Sequence, residues 1–345
     1  MSDHETARSK ERIVYLEVCR IIAVFCIMYQ HTGGRGAEAW KYTESTLVYV
    51  TSMISKIISN IGVPLFWMVS GALLLSKKES WKKVYGKRIP RFVSVLLLFS
   101  MIRYFYLCIV NGSDGHVGEF VWRFYTQNIF LPYWFLYEYL GILLVLPFLR
   151  KMLQGLTEQE ERILFVLVIG WNVLNDISNA FLGVGFVLDL HFQNAISYVI
   201  LGYLMEHCQV LRQSGKNGFR ICIGQVVLAI AVLYSWGSGQ RGLEELGSLI
   251  MVLAIAVYYL NRCMSENAIW NNRALRHFVL WCGSNVFGLY LIEDYLRNLT
   301  AFIWEWCAPY ISAVPACGVW LLVVFLLGNV LVSGVRRLPV LRNLL

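Results

Sequence analysis

Charge is what this 345-residue chain has least of: Asp, Glu, Lys and Arg make up 15% of it, against 57% hydrophobic residues and a mean hydropathy of +0.56. A soluble globular domain carries roughly a quarter charged residues, so the composition excludes one. No polar segment is longer than the first 12 residues or loops of comparable size. That leaves no room for an extracellular catalytic module, a tethered nucleotide-binding domain or a nucleic-acid reader. The nine cysteines include no C-x-x-C pair and no zinc-type spacing, and no ligand cluster for a metal is visible. Only Cys307 and Cys317 fall where two thiols could meet on an oxidising side, and all nine are read as small apolar side chains. Internal repeats, heptads and low-complexity tracts are absent as well.

What is present is a succession of apolar runs, each of about 20 residues and so long enough to cross a hydrocarbon core of roughly 30 Å. They lie near 13–32, 57–76, 92–110, 130–149, 163–182, 194–207, 219–237, 246–261, 278–299 and 316–335. The segment 45–56 is either an added outer helix or an extension of the second run. The chain is therefore read as an all-α polytopic membrane protein with about ten transmembrane helices. Of its 30 basic residues, 22 fall on the side of the termini, five on the opposite side, and three inside spans or at their ends. Cytoplasmic loops collect Lys and Arg, so the asymmetry places both termini in the cytoplasm. It also explains the net charge of +8 without a nucleic-acid partner. The expected organisation is a cytoplasmic segment 1–12, a transmembrane domain 13–336 and a cytoplasmic tail 337–345. The first run contains Glu17 and Arg20 and lacks a small-residue cleavage site, so it is expected to remain as the first span rather than act as a signal peptide.

That first span carries ionisable groups where they are costly. Arg20 and His31 are eleven positions apart, hence about 20° apart around a helix and roughly 16 Å apart along it, and Glu17 is about 60° from Arg20. All three share one face, and a polar stripe at that depth must line protein or water. Two plainer readings stay open: Glu17 and Arg20 as a structural i, i+3 ion pair, and His31 as a residue of the outer headgroup region.

A second concentration is Lys77–Arg91, KKESWKKVYGKRIPR, with seven basic residues and one acid. Arg88 and Arg91 are three apart on what reads as the opening turn of the third span, where Pro90 is tolerated. Two guanidinium groups and free helix N–H groups there suit the phosphates of an anionic donor, with Lys87 beside them. A basic loop anchored to anionic lipid is the alternative. Further polar groups inside spans are Ser70, Glu138, Asn172, Asn175, Asp176, Glu293 and Asp294. By depth Glu138, Asp176 and Glu293 lie in the outer half with His31, where they form one outer chamber or serve as separate interhelical hydrogen bonds.

Taken together, these residues resemble the membrane-bound acyltransferase 3 family over essentially the whole chain. The resemblance is carried by Leu16-Glu17-x-x-Arg20 with the Arg-x(10)-His spacing to His31, by Val63-Pro64-Leu65-Phe66 leading to Ser70-Gly71, by Arg88-x-x-Arg91, and by Trp134-Phe135-Leu136 followed by Pro147. The first and third are the specific ones. The family O-acetylates cell-surface sugars and related acceptors. The resemblance implies that His31 is catalytic, supported by Arg20 with Glu17, and that Arg88, Arg91 and Lys87 bind the acyl-CoA donor. Trp134, Glu138, Asp176, Glu293 and Ser70 are the expected acceptor-side residues. One departure stands out: many members continue Tyr-Leu-Ile with His, whereas Tyr290-Leu291-Ile292 is followed here by Glu293. A carboxylate at that position could orient His31 or an acceptor hydroxyl. With no esterase-like or racemase domain attached, the chain resembles the standalone form.

The implied reaction moves an acyl group, acetyl above others, from cytosolic acetyl-CoA to a hydroxyl of a cell-envelope glycan or lipid-linked saccharide, in the plasma membrane and without a metal. His31 would act either as general base or as a transiently acylated nucleophile. Two rivals predict differently. A transporter or flippase of a lipid-linked saccharide would bind no acyl-CoA, and a non-catalytic scaffold would tolerate loss of Arg20 and His31 together.

Overall fold

The computed structural model describes residues 3–126, 129–183, 194–212, 216–239 and 242–338; the expected tail lies outside them from residue 339 onward. The described residues contain helices and no strand. Helices occupy all ten places where an apolar run was expected: α1 (Asp3–Gln30), α3 (Gly62–Leu75), α4 (Trp81–Asn111), α6 (Trp134–Leu153), α7 (Glu158–Leu182), α8 (Ala195–His207), α9 (Lys216–Ser238), α10 (Gly247–Cys263), α11 (Arg273–Leu299) and α13 (Ala313–Val335). Segment 45–56, expected as either an added outer helix or an extension of the second run, forms α2 (Thr46–Ser59), and α5 (Val117–Thr126) and α12 (Ala301–Ile311) are helices that were not expected.

Among the described residues, six segments are long and apolar enough to cross a membrane: Thr46–Leu75, Trp81–Asn111, Leu131–Leu153, Glu158–Leu182, Gly218–Ser238 and Ala313–Val335. The protein is a multi-pass membrane protein. The expected count of ten rests on four further helices that differ in kind. With 13 residues, α8 is about 20 Å long, short of the roughly 30 Å hydrocarbon core. With 17 residues, α10 is about 26 Å long. The other two, α1 and α11, carry the ionisable residues of the site.

The helices form two compact units, one of Met1–Leu73 with Leu156–Ser333 and one of Leu74–Gly155 with Gly334–Leu345. In the first, α1 is the central element. Tyr15, Leu16, Cys19 and Ala23 face an apolar cluster from α2, α3 and α10, while Val24 and Met28 face Cys282, Val286 and Leu289 of α11 and Trp320 and Val324 of α13. Enclosure on both faces accounts for charges that lipid would not tolerate.

Helices α3 and α8 cross at backbone contact. A Cβ on Gly71 would lie 1.9 Å from the Val199 carbonyl oxygen, and one on Gly202 would lie 1.9 Å from that of Met68. Small residues permit this approach. Local chemistry sets the helix starts: Thr157 and Glu160 form a reciprocal capping box on α7, and Asn272 accepts from Ala274 and Leu275 at the start of α11.

In the second unit α4 runs from Trp81, seven residues before the expected opening turn, with a π turn over Val84–Arg88 before α-helical pairing resumes at Ile89. Pro90 explains the insertion: it has no N–H for the carbonyl four residues back, and its ring clashes there, so the wider turn carries it inside a longer helix. The helix ends on Gly112 at φ +64°, the left-handed terminus glycine adopts freely. Tyr85 donates to the Leu144 carbonyl at 2.6 Å, and Phe92 packs on Tyr139 at 4.8 Å, joining α4 to α6.

Candidate active site

The end of α1 is tied down from several directions. The His31 N–H reaches the Ile27 carbonyl at 3.2 Å, carrying the last helical turn one residue past Gln30. Gln30 Nε2 donates to Ser59 Oγ and to Asn60 Oδ1, at 3.0 and 2.5 Å. The Thr32 hydroxyl donates to Tyr29 O and accepts from the Ala37 N–H. Four residues beyond His31, the Arg35 guanidinium sits 5.8 and 5.6 Å from the rings of Trp304 and Trp320 and pairs with Glu305 at 3.2 Å. His31 thus stands on a rigid mount, with its side chain 24% exposed.

Its partner is Glu293. Nδ1 of His31 lies 2.7 Å from Glu293 Oε1, and the Glu293 side chain is 2% exposed. The other carboxylate oxygen accepts from Arg297 Nε at 2.5 Å. Arg297 also donates through Nη1 to the His31 carbonyl at 2.6 Å and through Nη2 to Asp294 at 2.9 Å. The fork therefore does two things. It satisfies a carbonyl left open at the C-terminus of α1, where a cation is favoured, and it holds the carboxylate that holds the imidazole. An ionised carboxylate only accepts hydrogen bonds. In the neutral ring, Nδ1 is then the nitrogen that carries the proton and Nε2 the one that presents a lone pair.

Arg20 does not reach His31. It pairs with Glu17, Nη1 lying 2.9 and 3.1 Å from the two carboxylate oxygens. Glu17 lies opposite Gly283 of α11, where an added Cβ would meet its carboxylate.

In the second unit, the single acid of the basic segment organises its neighbours. Glu79 pairs with Arg88 at 2.7 Å, Lys83 at 3.3 Å and Arg150 of α6 at 3.2 Å. Its pKa is held down at about 2 from an ordinary 4.5, first by the hydrogen bond from Arg88, against an opposing effect of burial that ranks next, with the bonds from Arg150 and Lys83 adding to the depression. Arg88 is half-buried, while Lys87 and Arg91 are exposed. Because α4 begins at Trp81, the free N–H groups of its first turn lie before Arg88 and Arg91 and do not join them, contrary to the expectation of an anion held on that opening turn.

The acyltransferase-3 family model, described as an acyltransferase domain, matches residues 13–335. The chain belongs to the acyltransferase-3 family. Comparison with curated proteins and comparison with solved structures gave no match. Family and helices together make the protein a membrane acyltransferase.

The remaining expected site residues of this acyltransferase fall in different places. Asp176 is buried, and its Oδ2 accepts from the Ser248 N–H at 2.6 Å, so it serves the N-terminus of α10. Ser70 donates to the Phe66 carbonyl of its own helix at 2.9 Å, next to the Gly71 crossing. Trp134 and Glu138 are exposed, one turn apart on α6 in the second unit. Of the expected outer chamber, the first unit brings together His31 and Glu293, while Asp176 is occupied elsewhere. Sequence reasoning did not foresee Arg297 as the residue joining Glu293 to His31, although its i, i+4 spacing from Glu293 is a readable signal. Nor did it place Arg150, from the far end of α6, beside Glu79. None of the nine cysteines, Cys307 and Cys317 included, is in a disulfide.

Proposed function

We propose that the protein transfers an acyl group, acetyl in the first instance, from acyl-CoA to a hydroxyl of a cell-envelope saccharide, glycan or lipid-linked, in the plasma membrane. The observation that carries this reading is the 2.7 Å contact between His31 Nδ1 and a buried, arginine-held Glu293. A carboxylate that fixes one imidazole nitrogen as donor leaves the other as the base, the division of labour general-base catalysis requires.

In this reading, Nε2 of His31 removes the proton from the acceptor hydroxyl as its oxygen attacks the thioester carbon. The C–O bond forms and the C–S bond breaks, and the imidazolium returns its proton to the departing CoA sulfur. Glu293 and Arg297 keep the ring oriented and offset its transient charge. Transfer through an acyl-imidazole would use the same nitrogen as nucleophile. Arg88, Arg91 and Lys87 are assigned to the donor's phosphates, and Trp134, Glu138 and Ser70 to the acceptor side. Arg20 and Glu17 support α1 as an ion pair rather than by touching His31.

The test is acetyl-CoA binding and transfer of labelled acetyl to an envelope saccharide fraction by protein reconstituted in liposomes. The reading expects both. A protein that binds no acyl-CoA and transfers no label would overturn it in favour of saccharide transport.

A further inference from the structure

The cations around Glu79 are not balanced by it. Lys83, Arg88 and Arg150 all pair with this one carboxylate, so three positive charges meet one negative. Arg150 is the unusual member. It comes from α6, its Nε donates to the Leu74 carbonyl at 2.8 Å, and its side chain is 5% exposed. Two guanidinium nitrogens in the cluster, Arg88 Nε and Arg150 Nη1, are buried with no hydrogen-bond acceptor.

A buried charged donor left without an acceptor is expensive, and a buried guanidinium in excess of its counter-ions is more so. A structure that wanted only to bury an ion pair would have matched Arg150 to Glu79 alone. Here the surplus is cationic, with donors in forked geometry from two helices, the arrangement that fits the several oxygens of a phosphate group. Exposed lysines and arginines of the same segment do not have this property, since water satisfies them.

We propose that Arg150, with Arg88 and Lys83, is a phosphate-binding residue, and that Glu79 is an internal counter-ion that yields its arginines to the incoming phosphate. The inference rests on the proposed function in taking that phosphate to belong to the acyl-CoA donor; an anionic lipid headgroup offers the same chemistry. Glu79 holds the guanidinium groups in position while the site is empty. On binding, phosphate oxygens take the Arg88 Nε and Arg150 Nη1 donors and compete with Glu79 for the rest. The carboxylate therefore lowers affinity, the reverse of what a merely structural ion pair would do.

The test uses full-length protein in phosphatidylcholine nanodiscs, with CoA and inorganic pyrophosphate as probes, and with phosphatidylglycerol discs as a separate arm. Arg150→Gln is expected to weaken binding of both probes by roughly tenfold or more, as loss of a charge-assisted fork should, and Glu79→Gln to tighten it several-fold with a steeper salt dependence. If neither probe binds the wild type but phosphatidylglycerol raises its melting temperature and not that of Arg150→Gln, the site takes a lipid headgroup; this inference then stands while the donor reading fails. Wild-type responses to probes and lipid in Arg150→Gln would overturn it, as would weaker binding in Glu79→Gln. The second variant carries the test should Arg150→Gln not fold.

Discussion

Glu293 stands between His31 and Arg297, one carboxylate oxygen 2.7 Å from the imidazole Nδ1 and the other 2.5 Å from the guanidinium Nε. The same arginine donates to the backbone carbonyl of His31. Ring and main chain of one residue are thus held by two residues a single turn apart on α11.

Replacing Glu293 with Gln keeps the shape but offers Nδ1 a group that can also donate, so the ring loses its enforced tautomer. Turnover is expected to fall on the order of 10²–10⁴-fold with donor affinity unchanged. Glu293→Asp should recover part of it. Steady-state kinetics beside acetyl-CoA binding measures both.

Arg297→Lys preserves charge but has one nitrogen for three acceptors. The expected result is a lower kcat with little change in donor Kd, since the substitution loosens His31 without touching the basic cluster. Arg297→Met leaves Glu293 buried beside an unpaired position and is expected to destabilise the protein by about 3–5 kcal/mol, read as a drop in melting temperature.

The α3–α8 crossing makes its own prediction. Gly71→Ala or Gly202→Ala puts a methyl group 1.9 Å from a backbone carbonyl oxygen, and a backbone cannot swing aside as a side chain can. Each should destabilise by about 1–3 kcal/mol or more. Gly318→Ala on α13, with nothing within 4 Å of the added carbon, should be neutral or slightly stabilising.

Glu79 links pH to stability. Its pKa in the folded protein is depressed to about 2 from 4.5. Its contribution is therefore full above about pH 4.5 and is lost as pH falls from there toward 2. Melting curves of wild type and Glu79→Gln should differ at pH 7 and converge as pH is lowered through that window. A difference that persists undiminished at the acid end would contradict the assignment.

Much of this arrangement was legible because membrane helices write themselves in runs of apolar residues, and all ten expected runs are helical. His31, Arg20 and Glu17 could be singled out because ionisable groups within such runs are rare. What could not be read is pairing across distance. His31 and Glu293 are 262 positions apart, and no periodicity links α1 to α11. Asp176 had the same signal as Glu293, a carboxylate within an apolar helix, yet it caps α10 from 72 positions away. The π turn at Val84–Arg88 was hidden because Pro90 reads equally well as a helix start. Helices α5 and α12, of 10 and 11 residues, are too short for a span and pass for loop.

The most direct test of the central claim is CoA release from acetyl-CoA by liposome-reconstituted wild type, His31→Ala and Glu293→Gln, with an envelope saccharide acceptor present and donor binding measured in the same samples. The account predicts equal donor binding in all three and turnover confined to wild type, with a small residue in Glu293→Gln. A His31→Ala protein that turns over at the wild-type rate would contradict it.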